Sequence, residues 1–270
     1  MWSAETFPGS RITSMRKWVT PAVAAILLVA AIAAFLARRA ASGGNPLSEV
    51  DPAVYAQARA RMVEESIVGW GIADPDVVTA MGAVPRHLFV PSEYLDQAYE
   101  NNPVPIGYGQ TISQPYIVGL MTESLELERG EKVLEVGTGS GYQAAILAEM
   151  HLQVYSIEIL EPLAEQAAER LRQLGYEDIQ LRAGDGYYGW PEAAPFEAIL
   201  VTAAPDHVPQ PLLAQLAVGG VLVIPIGPPG GYQELWRLRR LSEDRIESTS
   251  LGGVRFVPLI REEEIDATDG

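Results

Sequence analysis

The sequence predicts an α/β fold, a doubly wound, Rossmann-like sheet, from three observations. The apolar run Val133-Leu134-Glu135-Val136 ends in glycines at alternate positions, Gly137, Gly139 and Gly141. A second apolar run, Val154 to Ile157, ends in the carboxylate Glu158, 21 residues past Gly137. Further apolar runs then alternate with segments of helical spacing to about residue 226. Glycines let the backbone turn sharply and approach a ligand. A carboxylate about 20 residues past such a loop is placed to accept hydrogen bonds from ribose hydroxyls.

Each element follows in order. Asp51-Pro52 caps a helix whose apolar side is Val54, Ala58, Met62 and Ile67, and Asp74-Pro75 begins a short helix through Met81. Together these form an N-terminal helical extension. Pro85, Pro91, Pro103 and Pro105 make residues 83–112 mostly loop and turn, and helical spacing returns at Ile117 to Leu125. Strand 132–136 leads to helix 141–150, strand 153–158 to helix 161–174, and Ile179 to Leu181 is a third strand ending at Gly184-Asp185-Gly186. Phe196 to Val201 is a nearly continuous apolar run, as in a buried parallel strand. A helix over Pro209 to Ala217 and a strand over Val221 to Ile226 follow, and Leu235 to Leu241 with Val254 to Leu259 are expected to complete the sheet as an antiparallel pair. A ligand then belongs at the carboxyl ends of the strands.

Composition narrows the function classes. The first 40 residues hold five basic side chains and one acid, a net of +4; with the whole chain at −16, the rest carries −20. Such a body repels phosphate backbones, so nucleic acid is not an expected partner. Cysteine is absent, which excludes disulfides and thiolate metal sites. His87, His151 and His207 have no ligand spacing, and no metal is expected.

Pro21 to Ala37 carries no charge and, with Trp18 to Thr20, reaches about 20 residues, enough for one transmembrane helix. We favour an uncleaved anchor over residues 18–40, with Arg38 and Arg39 as its stop-transfer flank, after a tail over residues 1–17. A secretory signal starting at Met15 and cleaved near Ala31-Ile32-Ala33 is the competing reading. Localisation at a membrane is therefore expected, with export or a cytoplasmic body as alternatives. The flanking charges do not orient the span. Residues 41–50 form a linker and residues 51–270 one domain.

The glycine spacing selects the cofactor. A dinucleotide fingerprint needs glycine where Tyr142 stands. The pattern G-x-G-x-G preceded by Glu135 favours S-adenosylmethionine, which has no pyrophosphate to hold.

The stretch Gly107-Tyr108-Gly109-Gln110-Thr111-Ile112-Ser113-Gln114-Pro115-Tyr116, beside Glu135 to Tyr142, closely resembles protein-L-isoaspartate O-methyltransferases. Val84-Pro85-Arg86-His87-Leu88-Phe89-Val90-Pro91, Gly184-Asp185-Gly186 and Val201 to Pro205 are similar to that family too. The similarity runs from about residue 52 to about residue 260. It implies methyl transfer from S-adenosyl-L-methionine to the free α-carboxylate of L-isoaspartyl residues in damaged proteins, the first step of their repair. By resemblance, Ser113 is the active-site serine; Gln110, Thr111 and Ile112 share its loop over cofactor and substrate; Glu135, Gly137, Thr138, Gly139 and Gly141 form the glycine turn; Glu158 holds the ribose; and Asp185 and Gly186 lie on the adenine side. Isoaspartyl proteins and peptides are the implied substrates, and a monomer is expected. Tyr116 stands where some members have histidine, and Ile260 where eukaryotic members often have threonine. The competing functions are methylation of a small carboxylate or hydroxyl acceptor, NAD-dependent oxidoreduction, which Tyr142 disfavours, and a tethered binding protein with a degenerate site.

Overall fold

The computed structural model describes residues 51–262, and from Pro52 onward these form one unit. The expected anchor and the linker of residues 41–50 lie outside the described residues. Among the described residues no helix is long and apolar enough to cross a membrane.

Helix α1, Pro52–Met62, runs into a π turn over Val63–Ile67 and a 3-10 turn over Val68–Trp70, and stops at Gly71 with φ 101°. Met62 and Ile67 face the core as expected, but Val54 is exposed and Arg59 is buried in its place. The reason is polar: Arg59 Nε donates to the Gly82 carbonyl at 2.8 Å, which ties α1 to the end of α2, Pro75–Ala83. Asp74 caps α2 by accepting from the Asp76 and Val77 amides. His87 stacks on Tyr55 at 3.9 Å and its Nδ1 lies 2.7 Å from the Tyr99 hydroxyl. Burial pushes its imidazole down to about 4, with Arg59 adding to the effect, so it is neutral near pH 7 and packs as a structural residue.

Residues 83–112 hold two 3-10 turns and a feature the prolines conceal. Val104–Gly107 (β1) and Gln110–Ile112 (β2) pair as an antiparallel hairpin. Its tip, Gly107-Tyr108-Gly109, has positive φ throughout. Helix α3, Pro115–Glu123, follows.

The main sheet has the order β5-β4-β3-β6-β7-β8-β9. Strands β3 (Lys132–Val136), β4 (Gln153–Glu158), β5 (Gln180–Ala183), β6 (Phe196–Val201) and β7 (Leu216–Ile226) are parallel. Strands β8 (Gln233–Ser242) and β9 (Arg245–Val254) add on as antiparallel neighbours. The sheet is therefore mixed. Helices α4 (Tyr142–Glu149), α5 (Glu161–Gln173) and α6 (Gln210–Gln215) make the crossovers.

The period of two along each strand sorts side chains to opposite faces. Val133, Ala198, Leu200, Val221 and Val223 join one core with Tyr142, Ile146 and Leu147 of α4. Leu134, Val136, Ile199, Val201, Leu222 and Ile224 join another with Leu212 of α6. Chain order reverses between β3 and β6, so the crevice at their carboxyl ends is the switch point where this architecture binds ligands.

The expected strand over Val254 to Leu259 requires correction. The strand paired with β8 is Arg245–Val254, a largely exposed and polar edge with no alternating apolar face to reveal it. Residues 255–260 instead cross the carboxyl end of β6. There the Ala204 amide donates to the Val257 carbonyl at 2.8 Å and the Leu259 amide to the Ala204 carbonyl at 2.9 Å.

Candidate active site

Two adjoining clefts open at the switch point. The first, with about 540 Å³ of free space, is lined by Gln110, Thr111, Val136, Gly137, Gly139, Ile157, Glu158, Leu160, Gly186, Thr202 and the crossing segment Val257 to Ile260. The second, of about 420 Å³, is lined by Thr111, Ile112, Ser113, Glu135, Gly137, Thr138, Gly139 and Tyr142 among others. Gly137, Gly139, Thr111 and Thr202 line both.

Ten of the twelve residues singled out from the sequence therefore lie on these walls. Gly141 does not: it starts α4 and packs against Leu171. Asp185 does not either. Its Oδ1 accepts from the Tyr187 amide, and its Oδ2 pairs with Arg261 Nε at 3.0 Å. Arg261 lies 3.7 Å from the Tyr187 ring centroid, so Asp185 fastens the C-terminal crossing segment beside the first cleft.

The glycine turn is shaped by contact. Gly137 has φ 97°, and a Cβ there would meet Thr202 Oγ1 at 2.4 Å. That hydroxyl is already held, donating to the Gly137 and Val136 carbonyls at 2.6 and 3.0 Å. The backbone of β3 thus bends against β6 and leaves the cleft open above it. Thr202 escaped notice as a site residue because its role is to brace a carbonyl, which no spacing announces.

Glu158 is buried at the end of β4. Its Oε2 accepts from the Gly139 amide at 2.8 Å and its Oε1 from the Leu160 amide at 3.0 Å. Each carboxylate oxygen has a second lone pair, so the group is fixed in place and can still accept from vicinal hydroxyls.

Glu135 is fully buried, and its neighbour follows from register. In the parallel pair β3–β4, Glu135 stands opposite Ser156, so both point to the same face. Ser156 Oγ donates to Glu135 Oε2 at 2.5 Å, and Thr138 Oγ1 lies 2.6 Å from Ser156 Oγ. Glu135 Oε1 has no partner among the described residues. Burial, with a smaller push from Glu158, lifts the Glu135 carboxyl to about 8 against the pull of Ser156.

Ser113 half-faces the second cleft. Its carbonyl accepts from Arg86 Nη2 at 2.8 Å, and its hydroxyl has no hydrogen-bond partner among the described residues. Arg86 is wholly buried, donates from Nε to the Ala98 carbonyl at 2.9 Å and lies 4.9 Å from the centroid of the Tyr142 ring. The sequence does not reveal this: an arginine between proline and histidine reads as a surface residue.

The wall therefore offers an apolar floor, a carboxylate fixed by two backbone amides, a glycine turn and a buried orphaned carboxyl oxygen. That donor and acceptor set fits S-adenosylmethionine, whose adenosine is neutral and whose methionine end carries an ammonium and a sulfonium.

Comparison with known proteins agrees. A family model described as protein-L-isoaspartate(D-aspartate) O-methyltransferase matches residues 57–264. A protein-L-isoaspartate O-methyltransferase of Synechococcus sp. is 53% identical over 222 residues, covering 80% of this chain and 90% of that one. A solved protein-L-isoaspartate O-methyltransferase superposes with a TM-score of 0.68 at 29% identity, over 74% of this chain and 65% of that one. A Plasmodium falciparum protein of the same description, solved with S-adenosyl-L-homocysteine, gives 0.67 at 26% identity, over 76% of this chain and 99% of that one.

Proposed function

The chain belongs to the protein-L-isoaspartate(D-aspartate) O-methyltransferase family, and from that footing we propose how its own residues divide the work. The reaction is methylation of L-isoaspartyl residues in damaged proteins, which begins their repair, with S-adenosyl-L-methionine as cofactor. When bound, that cofactor supplies a methyl group activated by a positive sulfur.

Glu158 holds the ribose hydroxyls, and the apolar side chains of Ile157 and Leu160 with Gly186 enclose the base. Gly137 and Gly139 let the backbone run close beneath the cofactor. Gln110, Thr111 and Ile112, from strand β2, close it from above. An isoaspartyl α-carboxylate is ionised near pH 7, so this chemistry needs no general base. The chain's contribution is alignment and exclusion of water. Ser113, with a hydroxyl unclaimed by any described residue, orients the carboxylate of the acceptor in the second cleft. Enclosure by the β1–β2 hairpin on one side and Val257 to Ile260 on the other keeps water from competing.

The observation that carries this reading is the placement of Glu158, with both oxygens pinned by backbone amides at the wall of the first cleft. Glu158→Ala is expected to weaken cofactor binding by ~1–3 kcal/mol, roughly 5- to 150-fold in Kd. Titration calorimetry checks it, and an unchanged Kd removes Glu158 from the site. For the N-terminal segment we propose an uncleaved anchor. The full chain should then stay with membranes through alkaline carbonate extraction, because residues 18–37 carry no charge. A mature terminus downstream of Ala33, read by mass spectrometry, overturns it.

A further inference from the structure

Trp70 is 57% exposed, although a side chain of its size is usually drawn largely into a core. The fold imposes that exposure. Trp70 ends the 3-10 turn Val68–Trp70, and the residues flanking the turn are its anchors. Ile67 and Ile72 are buried, and the Ile72 amide donates to the Ile67 carbonyl at 3.1 Å. Both isoleucines pack on α3 at Gly119, where a Cβ would meet Ile72 at 3.4 Å and Ile67 at 3.6 Å. Gly119 follows Tyr116 by three residues on α3, so the two share one face of the helix. The turn therefore sets Trp70 against the half-buried Tyr116, with ring centroids 4.9 Å apart and planes at 56°. Tyr116 is fixed from the other side, its amide donating to Asn101 Oδ1 at 3.1 Å. The result is a rigid, uncharged aromatic pair at the surface.

The pair stands close to the acceptor. Tyr116 is three residues past Ser113, so their Cα atoms are at most about 11 Å apart, the reach of about three residues of an extended chain. An acceptor whose carboxylate lies at Ser113 is itself a chain, and its neighbouring residues continue out over the surface around the second cleft. A second copy of this protein would bring the same net charge of −16, and that repulsion disfavours it as the occupant. We propose that Trp70 and Tyr116 form a ledge for a residue within about three positions of the isoaspartyl residue in the acceptor, and that the ledge selects acceptors with an aromatic side chain there. This rests on the reading above that Ser113 orients the acceptor carboxylate. A third ring set against a tilted pair contributes about 3- to 10-fold in affinity. The ledge touches no reacting atom, so the gain falls in KM and kcat stays level.

The test is methyl transfer by the full chain to short isoaspartyl peptides, alanine elsewhere, with one phenylalanine moved through the three positions on either side. At one or two positions phenylalanine should lower KM by about 3- to 10-fold relative to the all-alanine peptide. Trp70→Ala should bring those peptides to the same KM, and Trp70→Phe should retain most of the difference. Because Trp70 is largely exposed, its truncation leaves no core cavity, and a calorimetric Kd for S-adenosyl-L-homocysteine equal to wild type shows that the variant is folded. The double-mutant cycle isolates the contact: a purely structural role for Trp70 slows all peptides alike and gives no coupling. The proposal is overturned by a wild type indifferent to phenylalanine, by a preference that survives Trp70→Ala, or by a dimer in solution that Trp70→Ala dissociates. The underlying reading fails separately. Ser113→Ala at the wild-type rate discards the placement of the acceptor and the ledge with it, whereas a slow Ser113→Ala beside absent coupling discards the ledge alone.

Discussion

Ser113→Ala is expected to slow methyl transfer to an isoaspartyl peptide by roughly 10- to 1000-fold while leaving cofactor affinity nearly intact. The change is clean because the loop is held by its backbone. The Ser113 carbonyl is fixed by Arg86 and that bond survives the substitution. Pro115 starts α3 immediately downstream, and β2 pairs with β1 immediately upstream. Only the hydroxyl disappears, and no described residue depends on it. A carboxylate acceptor needs no deprotonation, so the loss is one of alignment. It should therefore fall short of the collapse that follows removal of an essential base. The measurement is labelled methyl transfer to an isoaspartyl peptide, with the aspartyl peptide as control, beside a calorimetric Kd for the cofactor. Equal rates would make Ser113 a loop residue; lost cofactor binding would move it to the donor side.

Why the donor side was legible in the sequence and other parts were not is a matter of locality. Gly137, Gly139 and Glu158 sit at the ends of two consecutive parallel strands, so adjacency in the sequence becomes adjacency in space. Their convergence on one cleft could be read from spacing. The pairing of Glu135 with Ser156 could not, because it depends on which residue of β4 falls opposite which residue of β3. Shifting that register by one would send Ser156 to the other face. Thr202 braces Gly137 from a strand 65 residues away, a contact that only the strand order 3-6 creates.

Two misreadings have a common cause. The β1–β2 hairpin was hidden because Pro103 and Pro105 suggest loop. Yet Pro105 lies in a short two-stranded sheet away from the main one, where one missing amide is tolerated. Strand β9 was hidden because it is an edge exposed along most of its length, with Glu247, Ser248, Thr249 and Ser250 where a buried strand would be apolar. In both, pairing is made by backbone amides and carbonyls, which the side chains do not advertise. The displaced apolar stretch, Val257 to Ile260, is apolar because it covers the first cleft, so its hydrophobicity was real and its element was wrong.

Arg86→Lys should be the most damaging conservative change in the N-terminal part of the unit. The guanidinium reaches two carbonyls 15 residues apart in sequence, Ala98 and Ser113, and covers the ring of Tyr142, the first residue after the glycine turn. A lysine ammonium is a compact point charge on a flexible stem, and from that buried position it serves one carbonyl, not both. The other carbonyl is left without a donor, at ~1–3 kcal/mol, and the guanidinium's cation–π contact with Tyr142 is weakened as well. Burial already pulls Arg86 down to about 10, and an ammonium, which starts lower and is hydrated more strongly, is held there at greater cost. The sum is on the order of 2–5 kcal/mol, or roughly 5–15 °C in Tm for a unit of this size. Stability alone would not separate a framework role from a role in the reaction, so rates must be measured well below the lowered Tm. There the freed Ser113 backbone should cost at least about 10-fold in kcat for the isoaspartyl peptide, since misplacement by about an ångström has that scale of effect. Cofactor Kd should move little, because Gly137, Gly139 and Glu158 are untouched. A variant that melts lower yet turns over at the wild-type rate while folded would confine Arg86 to the framework.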